Sequence, residues 1–161
     1  MRRRKPVGPI AANDDGTFRI TLSDDERTTL LRFVDQLAAL IEEGPNDERL
    51  TRLYPTAYLN DPERDDEYQG YMRDELTQSR RGSIDAVRAA LASPDSFPES
   101  QLHALMTVLN SLRLVLGTLL DVGEEDEEID EDDPMFGQYQ LYSYLGWLLE
   151  WTVSVLSGED N

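Results

Sequence analysis

The chain has 161 residues, 39% of them apolar, with 15 basic residues against 33 acidic and a formal net charge of −18 at pH 7. That length supports one independent core burying roughly 70% of the unfolded surface, and that charge makes nucleic acid and anionic membrane poor partners and a basic protein surface a good one. No cysteine is present, which excludes disulfides, thiolate metal sites, a nucleophilic cysteine and a thiol redox sensor in this sequence.

The charge is unevenly placed. All 15 basic residues and 20 of the acidic ones lie in residues 1–113, whereas residues 114–161 hold 13 acidic residues, no basic one and both tryptophans. A segment both anionic and aromatic is suited to meeting another protein.

Arg2, Arg3, Arg4 and Lys5 form a basic arm, assigned to residues 1–6 and expected to be disordered. It runs into Pro6 and Gly8 with no apolar core, so no signal peptide is read, and the cytoplasm is the expected compartment. A single helical domain is assigned to residues 7–157, with 158–161 as a tail. Val7 to Ala12 and Thr17 to Leu22 read as two short strands of a hairpin, Asp15-Gly16 supplying its turn.

Ser23, followed three residues later by Glu26, is a capping box. It opens a helix whose apolar stripe runs from Leu30 through Phe33, Val34, Leu37 and Leu40 to Ile41 and ends at Gly44-Pro45. Residues 46–62 read as an irregular, packed connection around Arg52-Leu53-Tyr54-Pro55-Thr56-Ala57-Tyr58. A charged helix is predicted from Pro62 to about Arg80, broken at Gly82. A second amphipathic piece follows from Ser83 and stops before Pro94.

Ser96 or Pro98 starts a helix that reaches Asp121, striped by Leu102, Leu105, Leu109, Leu112 and Leu116 and apolar nearly all round in its second half. Arg113 interrupts its apolar run short of the ~20 residues a membrane span needs. Nine of the ten residues 124–133 are acidic, a loop read as solvated. The last helix covers about Met135 to Leu156, with one polar stripe of Gln140, Ser143, Glu150 and Ser154. The expected class is mainly α, an orthogonal bundle of four to five helices with an N-terminal β-hairpin.

Few residues suggest chemistry. The acidic loop lacks the internal Gly of an EF-hand, His103 is the only histidine, and no Gly-rich phosphate loop follows a strand, so no cofactor and no metal are expected and enzymatic function is disfavoured. Paired carboxylates leave a metal-dependent hydrolase as an alternative. Arg113 stands in the apolar stripe of a central helix and calls for a carboxylate, with Glu150, Asp35, Asp74 and Asp85 as candidates, in a buried ion pair that fixes helix register, an anion-binding or catalytic role being the alternative. Tyr139, Tyr142, Tyr144, Trp147 and Trp151 stand on a helix with little polar surface. Most of these rings are expected in the core, with part of the arc, Trp147 and Trp151 included, covered by a second protomer or another protein.

Three segments, Arg52 to Tyr58, Leu109-Asn110-Ser111-Leu112-Arg113-Leu114-Val115-Leu116-Gly117-Thr118, and Tyr144-Leu145-Gly146-Trp147-Leu148, resemble in order and spacing an actinobacterial family long described as a domain of unknown function and labelled AosR-like oxidative-stress transcriptional regulators. The likeness covers roughly residues 7–156. It implies a cytoplasmic regulator acting with an alternative sigma factor through an oxidation-sensing cysteine pair, in genes lying near that of a protease adaptor, so that an accessory role in regulated proteolysis is a second reading. Arg52, Tyr54, Tyr58 and Arg113 match the shared motifs. Without cysteine, the disulfide switch does not carry over to this chain.

Overall fold

The computed structural model describes residues 8–43, 53, 59–120 and 130–158. Among them the chain is mainly α: a hairpin of β1 (Ile10–Ala12) and β2 (Phe18–Ile20), then α1 (Asp24–Glu43), α2 (Pro62–Ala92), α3 (Glu99–Leu119) and α4 (Phe136–Ser157). The basic arm, Arg52, Tyr54 and Tyr58, and positions 124–129 of the acidic loop lie outside the described residues.

The hairpin is shorter than the sequence pattern, three residues a side, with Ile10 opposite Ile20 and Ala12 opposite Phe18. Gly16 takes the left-handed conformation its turn requires (φ +85°). Asp15 accepts hydrogen bonds from the Thr17 hydroxyl and N–H, which hold its carboxyl below the ordinary range. β2 also pairs with the α2–α3 turn: Phe18 and Phe97 exchange main-chain bonds of 2.9 and 3.0 Å, and the Ile20 N–H donates to the Pro94 carbonyl at 2.7 Å. Asn13 donates to the Asp95 carbonyl at 3.1 Å, so the hairpin is pinned to the helical body by side chains as well.

Only half of the predicted capping box forms. The Ser23 hydroxyl accepts from the Glu26 N–H at 3.2 Å, while the Glu26 carboxylate turns instead toward α4. At the head of α2, Asp61 accepts from the Arg64 N–H and Pro62 fills the first turn, where its missing N–H costs nothing.

The predicted break at Gly82 is not a break. α2 runs 31 residues from Pro62 to Ala92, straight through Gly82. A glycine inside a helix costs about 1 kcal/mol. Ile84, Val87 and Leu91 beyond it are buried in the core, each worth about 1.5–3 kcal/mol, and tertiary packing therefore outweighs local propensity.

α3 is the central element, packing most extensively against α4 and α2, while α1 covers α2 and part of α3 and β1 rests on α4. Leu102, Leu105 and Leu109 are fully buried along it. Contrary to the expectation that Arg113 cuts it short, α3 is long and apolar enough to cross a membrane by length and composition alone. Its place between two other helices accounts for the same apolarity. The buried Thr152 hydroxyl on α4 is satisfied by the Leu148 carbonyl at 2.8 Å. Gly158 closes that helix in the left-handed conformation.

Candidate interaction surface

Two of the recognised segments meet in space. Arg113 on α3 crosses α4 at Gly146, where a Cβ would stand 3.3 Å from the arginine Nε. Its guanidinium carbon lies 5.1 Å from the centroid of the Tyr142 ring, a cation–π contact. The Nε is buried without a hydrogen-bond partner, and among the described residues no carboxylate pairs with this arginine.

The expected ion pair is thus replaced by an aromatic contact. Asp35 and Asp85 are both engaged by Arg88, at 2.9 and 3.2 Å. Asp74 and Glu150 are exposed, and Glu150 stands two turns beyond Tyr142, about 12 Å along the helix at 1.5 Å per residue. The guanidinium is half-buried and lies over the Tyr142 ring, a contact that offsets part of the need for a buried counter-ion.

The arginine that ties segments together by hydrogen bonds is Arg80. Its Nη1 donates to the Ser111 hydroxyl at 3.1 Å and its Nη2 to the Leu53 carbonyl at 2.8 Å. The Ser111 hydroxyl in turn donates to the Thr107 carbonyl at 3.0 Å. Residue 53 belongs to the first recognised segment and residue 111 to the second, and both are buried. Sequence reasoning missed Arg80 although the signal was there: Leu76, Arg80, Ile84, Val87 and Leu91 recur at helical spacing on one stripe. Breaking the helix at Gly82 severed that register.

On α4 the two tryptophans part ways. Trp151 turns inward, half-buried against Gly8. Trp147 falls in the middle of the polar stripe, four residues after Ser143 and three before Glu150, and is 45% exposed. The Tyr144 ring stands 5.8 Å from that of Trp147, tilted by 37°. Its hydroxyl points to the Glu26 carboxylate of α1 at 3.5 Å, and burial first, then the charge of Glu26, raise its pKa.

Between α1 and α4 runs an open groove of about 220 Å³. Leu30, Phe33, Leu141 and Leu145 form its floor, while Asp25 and Glu26 stand on its rim. Among the described residues no three carboxylate or imidazole side chains are placed to hold a metal ion. The described end of the acidic loop is a turn in which Asp130 and Asp133 accept from the N–H groups of Asp132 and Met135.

A family model described as "Domain of unknown function (DUF2017)" matches residues 5–156, the stretch that holds all three segments. The chain belongs to this family. It is 30% identical over 131 residues to proteins named "Oxidative stress regulator AosR" from Mycobacterium bovis (strain ATCC BAA-935 / AF2122/97) and from Mycobacterium tuberculosis (strain CDC 1551 / Oshkosh), covering 71% of this chain. The match spans 60% of the length of those relatives. No solved structure matches. Within this DUF2017 chain the Arg113–Gly146 crossing and the Arg80 bridge are where segments that carry the likeness touch.

Proposed function

We propose that this protein is a non-enzymatic cytoplasmic regulator of the oxidative-stress response that acts by binding a transcription protein, an alternative sigma factor or a component of RNA polymerase. The contact surface is the anionic, aromatic side of α4, and no cysteine of this chain takes part. The observation that carries the reading is Trp147, a large ring left 45% exposed within a polar stripe, next to Glu150. Rings in such settings anchor protein interfaces. Kinship with the mycobacterial regulators supports the regulatory class. The net charge of −18 supports a partner with a basic surface.

Affinity purification of the full chain from its native host, at low and high salt, tests this. Recovery of transcription proteins with wild type and their loss with Trp147→Ala is the expected result. Recovery of protease components with no transcription protein would replace the proposal with an adaptor role in regulated proteolysis. Loss of the partner at high salt would assign the binding to charge, and retention to the aromatics.

A further inference from the structure

The groove between α1 and α4 adjoins Trp147 through Tyr144, and its chemistry describes what it would receive. The floor is aliphatic and aromatic, from Leu30 and Leu145, both buried, and Phe33 and Leu141, half-buried. At about 220 Å³ it is smaller than the roughly 300–1,000 Å³ of pockets for small molecules and cofactors, and suits one large apolar side chain projecting from a larger body. The rim is anionic. Asp24 is paired with Arg27, but among the described residues neither Asp25 nor Glu26 has a cation partner, and both are exposed. Trp147, 45% exposed and 5.8 Å ring to ring from Tyr144, stands at the adjoining edge, and an indole is a good cation–π partner.

An apolar floor, two carboxylates without a cation partner among the described residues and an exposed indole nearby match a ligand with an apolar anchor flanked by basic groups. We infer that the α1–α4 groove is the docking site for a cationic amphipathic helix of a partner protein, one apolar residue of which enters between Phe33 and Leu145 while Lys or Arg on either side meet Asp25, Glu26 and Trp147. This rests on the reading that the protein works by binding another protein, and adds which surface and which kind of segment. A second copy of the chain fits less well, because a surface bearing −18 charges meets an anionic rim with repulsion.

The test is calorimetric titration of the full chain with a synthetic helical peptide carrying leucine at i, i+4 and i+7 and Lys or Arg elsewhere, and with a control peptide in which the leucines are glutamine. Thr29→Arg places a long cation in the mouth of the groove, Asp25→Lys reverses its rim, and Glu75→Lys reverses an exposed carboxylate on α2. The leucine peptide is expected to bind wild type, and Thr29→Arg and Asp25→Lys each to weaken it by about tenfold or more, with Glu75→Lys and wild type within about twofold of each other. Equal binding of the glutamine peptide, or equal loss with Glu75→Lys, would overturn the inference in favour of diffuse attraction to an acidic chain. Absence of binding would overturn it as well, while the native purification decides separately whether a protein partner exists. A wild-type dimer that Thr29→Arg converts to a monomer would make a second copy the occupant and equally overturn it.

Discussion

Gly8 lies flat on the indole of Trp151: a Cβ on Gly8 would stand 2.3 Å from Cζ3 and 2.5 Å from Cε3 of that ring. The contact seats the chain entering β1 on α4 and uses the one tryptophan that faces inward. Gly8→Ala should therefore destabilise the fold by about 1–3 kcal/mol, as overpacking does. Urea denaturation measures it, and in a Trp151→Leu background, where the ring is gone, the penalty should shrink. An unchanged midpoint for Gly8→Ala in the wild-type background would count against this packing.

Gly82 presents the opposite case. It is exposed on α2, and a Cβ there would meet nothing within 4 Å. Gly82→Ala should stabilise the protein by about 0.5–1 kcal/mol, through helix propensity and a less flexible unfolded chain. A rise in the denaturation midpoint at constant slope is the expected readout, and a fall would argue for a real hinge at this position.

Arg113→Met tests the replacement of an ion pair by a cation–π contact. The methionine keeps the apolar stem beside Gly146 and removes a buried, unbonded Nε, so the change in stability should stay within about 1.5 kcal/mol. Loss of about 3 kcal/mol or more, the cost of orphaning a buried counter-ion, would show a carboxylate partner after all. Arg80→Met, by contrast, leaves the buried Leu53 carbonyl and the Ser111 hydroxyl without their guanidinium, and should cost about 1–3 kcal/mol.

Tyr144 gives the fold an alkaline limit. Its ordinary pKa of 10.0 is raised by burial and by Glu26, so the native state holds the phenolic proton that the unfolded chain releases first. A raised folded pKa contributes stability that is fully present below pH 10 and is lost as pH climbs from there through the folded value. Midpoints measured from pH 8 to 11 should fall above pH 10 in wild type and fall less steeply in Tyr144→Phe. Identical profiles would remove Glu26 and burial as the cause.

Much of the fold was legible in local patterns. The Asp15-Gly16 turn, the Ser23 cap and the leucine stripe of α3 each rest on interactions spanning a few residues, which is why they placed the hairpin and the ends of α1 and α3 to within a few positions. Gly82 misled because helix propensity is a small local term, about 1 kcal/mol, set against burial of Ile84, Val87 and Leu91 by helices distant in sequence. The same local break hid Arg80. Trp147 and Trp151 were both expected at an interface edge; the polar stripe of α4, in which Trp147 falls between Ser143 and Glu150, was the signal that separates them.

What the sequence by itself determined was class and charge: a mainly helical, cysteine-free, strongly acidic chain in which two large rings share a base-free stretch. Composition and periodicity suffice for these, because they depend on each residue's own chemistry and its neighbours within a turn or two. Tertiary structure alone decided that Arg113 faces Tyr142 and not Glu150, that Glu26 leaves its cap to meet Tyr144, and that Trp151 turns inward while Trp147 faces out. Each of those outcomes depends on where α1, α3 and α4 lie against one another, and residues as far apart as 26 and 144 become neighbours only when burial of the shared core has brought their helices together.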